Sequence, residues 1–272
     1  TSFNSTGTTE LMEQASPASY LERYLDPFRD LLRRDDVVEI AINPDGKVWI
    51  ERKGGSHMEL VPDLQIDRAL SVNLGQSIAS SVGVQFSDKK PTVSGKITWG
   101  AMAIRAQVVA PPIVEGGMAI TFRPFKVSVD QLIEPHLLHG GLVDLDAKRR
   151  ERAEEAMKLA EAGQVVEAMR LCVEERMNIL ISGGTSTGKT TFARSLLSMV
   201  DPGERILTIE DAYELFPRQE NAVSLKADRS AQGERTPARL LEASLRMRPD
   251  STPATSSSLT AAGPSNRNDW GD

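Results

Sequence analysis

The sequence predicts an α+β domain followed by an α/β domain, and three observations carry that prediction. Helical and strand periodicities intermingle between residues 20 and 125 without a regular alternation. A short apolar run at 177–182, Met-Asn-Ile-Leu-Ile-Ser, leads straight into a glycine-rich loop and a helical pattern, the order of a buried parallel strand feeding a phosphate-binding turn. Between the two, residues 136–146 include His139-Gly140-Gly141, a hinge-like break. At roughly 150 residues per domain, a chain of 272 residues accommodates two.

The elements follow in order. Residues 1–16 are rich in Ser and Thr with little to pack and read as a disordered tail. Leu21, Leu25, Phe28, Leu31 and Leu32 recur at three- and four-residue spacing, the stripe of an amphipathic helix. Residues 37–42 are extended, and Asn43-Pro44-Asp45-Gly46 turns the chain into a second strand at 48–51. Ile66, Leu70, Leu74 and Ile78 repeat every four, with Gly83 as the stop of a second helix. Residues 97–109 and 118–122 read as strands. In the first, Ile104, Ala106 and Val108 share a face opposite Arg105; in the second, Met118, Ile120 and Phe122 lie opposite Arg123, so both arginines point away from the apolar side. This gives an N-terminal α+β domain over 17–135. A linker with charged helices fills 136–176, its Lys148-to-Glu155 stretch alternating in sign as an exposed helical face does.

Composition sets limits. With 40% apolar and 26% charged residues the chain can bury an ordinary globular core. A net charge of -6 gives no global attraction to a phosphate backbone, so direct nucleic-acid binding is not expected. The single Cys172 excludes an internal disulfide and a multi-cysteine zinc site; it fits a reducing cytosol and lies in an apolar-periodic helix as core filling. His57, His136 and His139 have no ligand cluster at metal spacing and read as surface or structural. No run approaches the roughly 18–20 apolar residues of a membrane span, and the opening ten residues are polar rather than an export signal, so the expected location is cytoplasmic.

The chemistry lies in Gly183-Gly184-Thr185-Ser186-Thr187-Gly188-Lys189-Thr190, the full G-x-x-x-x-G-K-[ST] pattern between a strand and a helix. Glycines let backbone N–H groups close around phosphates, and the helix beginning near Lys189 adds the positive end of its dipole. Lys189 is expected to reach β- and γ-phosphates and the Thr190 hydroxyl to ligate magnesium, so a nucleoside triphosphate with Mg2+ is the expected ligand. A glycine-rich turn that binds nothing would not need strand, loop and helix in this order. The helix shows Phe192, Leu196 and Val200 on one face and ends at Pro202-Gly203. A second buried strand at 205–209 carries Glu210 and Asp211 at its C-terminal end, where carboxylates either orient water and the magnesium shell or sit at a solvated strand end.

Taken jointly, residues 104–112, 120–124, 179–191, 206–215 and 245–250 resemble the hexameric secretion ATPases, most closely those of type IV secretion and conjugation. The likeness runs from about residue 20 to 250, and its ordered segments are far more specific than the loop alone. It implies an N-terminal ring, a second ring of RecA-like ATPase domains, ATP held between the two domains of each subunit, and a homo-oligomer. The partner it implies is a secretion or conjugation membrane complex, met peripherally on the inner face of the inner membrane. It assigns Arg105 and Arg123 to the nucleotide phosphates. Glu210 becomes the carboxylate that polarises the attacking water or orders magnesium, with Asp211 beside it, and Thr191 closes the loop segment.

The chain then departs from the family pattern. After Pro249-Asp250 the family continues into a strand carrying the Walker B acid and a histidine box, whereas residues 251–272 are rich in Ser, Thr, Ala and Pro, an aberrant disordered tail. The expectation is a truncation or frameshift that leaves an incomplete α/β RecA-like P-loop NTPase domain at 177–250. Whether the chain hydrolyses ATP is therefore left open. Two functions compete: an energy-coupling ATPase of secretion or conjugal transfer, and a non-hydrolytic remnant acting in assembly. A small-molecule kinase is disfavoured because the large N-terminal domain has no place in it.

Overall fold

A computed structural model describes residues 17–125, 145–184, 186–228 and 233–249. The expected tails, the hinge at His139-Gly140-Gly141, Thr185, His136 and Asp250 lie outside these residues.

The first amphipathic stripe folds as two helices rather than one: α1 (Pro17–Leu25) and α2 (Arg29–Arg33), joined by a 3-10 turn at Asp26–Phe28. Pro27 explains the break, because it has no N–H for the ladder and its ring clashes with the preceding turn. All five stripe residues are nevertheless buried. Six strands follow: β1 (Val37–Ile42), β2 (Lys47–Arg52), β3 (Glu59–Gln65), β4 (Thr92–Trp99), β5 (Met102–Val109) and β6 (Ala119–Phe125). They form one antiparallel sheet in the order β3-β2-β1-β6-β5-β4. The stretch 97–109, expected as one strand, is a hairpin that turns at Gly100, whose φ of 55° is left-handed.

Helix α3 (Arg68–Val82) is capped at its start by the Asp67 carboxylate, which accepts from Leu70 N at 2.7 Å, and ended by left-handed Gly83. It packs with α1 against one face of the sheet, and that core is drawn wholly from residues 21–122. Phe28 meets Phe122 edge-on with ring centroids 5.7 Å apart.

The second half has a helical pair, α4 (Leu145–Glu161) and α5 (Val165–Glu174), then α6 (Lys189–Leu197), a parallel strand pair β7 (Ile206–Glu210) and β8 (Ala222–Lys226), and α7 (Pro237–Leu245). Residues 177–182 do not form the expected buried strand: Leu180 is 76% exposed. An apolar run becomes a central strand only beside neighbours that take its N–H and C=O groups. Here β7 and β8 pair with each other, and no described strand pairs with 177–182.

The two halves share a second core. Val109, Ile113, Val114 and Ala119 pack against Leu207, Val223, Leu225, Leu240 and Met247 of β7, β8 and the α7 region. Beside it Arg205 is fully buried, donating to Met247 O at 3.1 Å, to Asn43 Oδ1 at 2.8 Å and to Asn221 Oδ1. Asn43 in turn donates to Asn221 Oδ1 at 3.0 Å, so the guanidinium staples the first hairpin to the second half. Among the described residues no helix is long and apolar enough to cross a membrane.

Candidate functional site

The described residues of the glycine-rich segment expected to bind phosphate are held by local bonds, although its lead-in is not a strand. Ser186 and Gly188 both take left-handed backbone angles, φ 60° and 85°, and Gly188 caps α6. A Cβ on Gly183 would stand 2.7 Å from Thr187 Oγ1, so a larger residue there would displace the Thr187 hydroxyl. Thr187 Oγ1 donates to Gly184 O at 2.9 Å and tightens the turn. The ammonium of Lys189 donates to Gly183 O at 3.0 Å and to Gly184 O. The first turn of α6 leaves backbone N–H groups without intrahelical partners, pointing to the loop's mouth.

The acidic side of the site differs from the expectation. Glu210 ends β7, yet its carboxylate is turned inward and occupied. Oε1 accepts from Thr208 Oγ1 at 2.7 Å, and Oε2 accepts from Glu214 N at 2.8 Å and Leu215 N at 2.9 Å. It therefore pins the turn that follows the strand. The residue brought to Thr190 is Glu214, whose Oε2 accepts from Thr190 Oγ1 at 3.0 Å. Arg194 holds the same loop, donating to Glu214 O and stacking 5.3 Å from the Phe216 ring. Asp211 is exposed at the strand end, and Thr191 lines an open pocket between α6 and the 215–218 loop. Sequence reasoning missed Glu214, although it stands in the acidic segment that begins at Glu210; four residues of turn bring it back over α6.

Arg105 and Arg123 are directly opposite each other on β5 and β6, on the polar face as expected. Arg123 donates from Nε and Nη2 to Glu39 Oε2, at 3.0 and 2.7 Å. Glu39 is 1% exposed, and burial pushes its carboxyl above the ordinary range while Arg123 pulls it back. The two arginines line a small cavity of about 70 Å3 closed by Leu245 and Arg246, and no residue of the phosphate loop lines it. Cys172 is half-buried, and burial raises its thiol.

Chemically, the loop supplies N–H donors, one ammonium and a hydroxyl next to a carboxylate, a donor set suited to phosphate and a hard cation. Among the described residues no group of three His, Cys, Asp or Glu side chains is placed to hold a metal alone. A magnesium ion here would draw most of its ligands from phosphate and water.

A family model described as type II/IV secretion system protein matches residues 149–252. The conjugal transfer protein TrbB of Rhizobium radiobacter is 34% identical over 217 residues, covering 79% of this chain and 58% of that protein. The type IV secretion system protein VirB11 of Brucella suis biovar 1 is 30% identical over 241 residues, covering 85% of this chain and 65% of its own length. The crystal structure of the VirB11 ATPase from the Brucella suis type IV secretion system, in complex with sulphate, matches with a TM-score of 0.69 at 30% identity, over 85% of this chain and 69% of that one. The chain thus spans about three fifths of the length of the curated relatives it matches.

Proposed function

Because the chain belongs to the type II/IV secretion ATPase family, we propose that it is an ATP-binding subunit of a ring-forming motor for type IV secretion or conjugal transfer. The observation that carries this reading is the G-x-x-x-x-G-K-[ST] pattern from Gly183 to Thr190, with Gly188 capping α6 and Lys189 folded back on the carbonyls of Gly183 and Gly184. A relative crystallised with sulphate supports it, since sulphate has the shape and charge type of a phosphate group.

In this reading Gly183, Gly184, Thr185, Ser186, Thr187 and Gly188 wrap the phosphates through backbone N–H groups. Lys189 exchanges the carbonyls of Gly183 and Gly184 for the β- and γ-phosphate oxygens, and Thr191 N–H extends the cradle. Thr190 would ligate a magnesium ion, which would supply charge neutralisation at the phosphates, and Glu214 orients Thr190 by accepting its hydrogen bond, leaving the hydroxyl lone pairs to face the ion. Arg105 and Arg123 approach the same phosphates from the N-terminal sheet. The loop half, from residue 177 onward, is then RecA-like, and the working assembly is a cytoplasmic hexamer docked on the inner face of a membrane secretion complex.

A second reading, binding without hydrolysis, is favoured by one specific feature. The Glu210 carboxylate expected to polarise water already accepts three hydrogen bonds, and Asp211 is the exposed acid left at that strand end.

A thermal-melt titration with ATP and magnesium, beside Lys189→Ala, tests binding. A saturable rise that the substitution abolishes is expected, because a ligand at 100 times its Kd stabilises the native state by about 2.7 kcal/mol. A wild-type melt indifferent to millimolar ATP would sink the proposal. Phosphate release by wild type and by Glu210→Gln then separates the two readings.

A further inference from the structure

One row of charge crosses the N-terminal sheet, and packing neutralises only half of it. In the register of the strands, Glu51 of β2 lies opposite Glu39 of β1, Arg123 of β6 opposite Arg105 of β5, and Arg105 opposite Lys96 of β4. The pairing of Ile40 with Phe122 sets Glu39 beside Arg123, where their side chains meet. Residues directly opposite in an antiparallel pair share a face, so five charged side chains form one line, acidic at β2 and basic at β4.

The acidic end is satisfied. Glu39 accepts from Arg123, and Glu51 accepts from Arg248 Nε and Nη2 at 2.8 and 2.7 Å. The basic end is not: the side chains of Arg105 and Lys96 are exposed and make no hydrogen bond or ion pair with another described residue. Arg123 gives Nε and Nη2 to Glu39, which leaves Nη1 on a side chain that is 40% exposed. Like charges directly opposite destabilise an antiparallel pair. Two such juxtapositions in succession, Lys96 with Arg105 and Arg105 with Arg123, therefore carry a repulsion that an anion relieves.

A second observation points to a ligand at the same place. In the cavity beside the arginines, Thr121 Oγ1, a hydroxyl able to donate to an anion, is buried without a partner among the described residues on a side chain 3% exposed, while the neighbouring Gln107 Oε1, an acceptor, calls for a water. Buried polar atoms are met by a partner, a water or a ligand in almost every folded protein. Adjacent strands lie about 4.8 Å apart, so three cations in a row span roughly 10 Å. That suits a chain of phosphates better than a lone carboxylate.

We infer that Lys96 is a further phosphate-binding residue, forming with Arg105 and Arg123 one track across β4, β5 and β6 for the triphosphate tail of the nucleotide. The inference rests on the reading that this chain binds a nucleotide. A lysine suits the outer end of the track, because its compact charge and three donors accept phosphate oxygens in many orientations.

Calorimetric titration of the full chain with magnesium ATP and with inorganic tripolyphosphate tests it, using Lys96→Ala, Lys96→Arg, Lys189→Ala and the exposed control Lys89→Ala. Loss of one charge-assisted contact weakens both ligands about tenfold in Lys96→Ala. Lys96→Arg stays near wild type, and binding by Lys96→Ala becomes less sensitive to salt. If wild type binds and Lys189→Ala does not, while Lys96→Ala matches Lys89→Ala, the track is wrong and nucleotide binding stands. If wild type ignores ATP yet binds tripolyphosphate in a Lys96-dependent way, the strands hold a phosphate chain that is not a nucleotide's, and the inference falls with the nucleotide reading. If wild type binds neither, both fall.

Discussion

The N-terminal sheet and the phosphate-loop lobe are built on opposite terms. Every strand from β1 to β6 has a ladder partner, and two helices close one face over a continuous core. Among the described residues the segment entering the glycine-rich loop has no ladder partner, and Thr187 and Lys189 make short-range bonds to the carbonyls of Gly183 and Gly184. The difference teaches that a binding motif is a local object, specified by a few residues, whereas the sheet that stiffens it depends on distant neighbours. The sheet is accordingly held by a shared core and the glycine-rich loop by bonds among its own residues.

The sharpest way to break the comparison is to cut one side chain from each region. Phe122→Ala, in the closed core against Phe28, should cost about 3–5 kcal/mol in urea unfolding. Leu180→Ala, on the exposed lead-in, should stay within about 0.5 kcal/mol of wild type. Equal losses would mean that 177–182 is buried in solution. Next in size is the staple between the regions: Arg205→Ala leaves the amides of Asn43 and Asn221 short of a partner and should cost about 2–4 kcal/mol. It should also split a single melting transition into two, seen by calorimetry; one unchanged transition would refute the staple.

A smaller effect comes from Glu39. Burial raises its folded-state pKa above the ordinary value, so the native chain keeps the proton to a higher pH than the unfolded chain does. Protons bound in excess by the native state make stability fall as pH rises between those two values. Unfolding free energies measured in steps from about pH 4 to pH 8 should show that decline in wild type and a flatter profile in Glu39→Gln. A steeper profile in the variant would reverse the sign of the argument. Smallest of all, Glu242→Ala removes exposed ion pairs to Arg239 and Arg246 and should change stability by no more than about 0.5 kcal/mol.

Much of the sheet half was legible in the residues. The Asn43-to-Gly46 turn and the bounds of β1 followed from turn chemistry and apolar patterning, and α3 ended at Gly83 as its stop signal implied. β3 escaped because it is an edge strand with mostly exposed side chains and Pro62 in its middle, a composition that reads as loop. β8 and α7 escaped because their burial is set by contact with residues 109–119, and short patterns do not reveal distant contacts. At the site, spacing alone makes Lys189 and Thr190 the expected phosphate and magnesium residues. Glu210 is visible in sequence as the end of a strand, whereas the turn that folds its carboxylate inward and brings Glu214 to Thr190 is a product of hydrogen bonds.

The shared core also has a consequence in time. Ile113 and its neighbours are covered by Leu240, which follows 127 residues later (240 − 113). On a ribosome adding roughly 5–20 residues per second, that cover arrives on the order of 6–25 s after the loop it must seat upon. The sheet half can close its own interior while waiting, because every member of that cluster has already been made. Val109, Ile113, Val114 and Ala119 then form an uncovered apolar patch on a finished surface, a landing place for chaperones and for a neighbouring nascent chain alike.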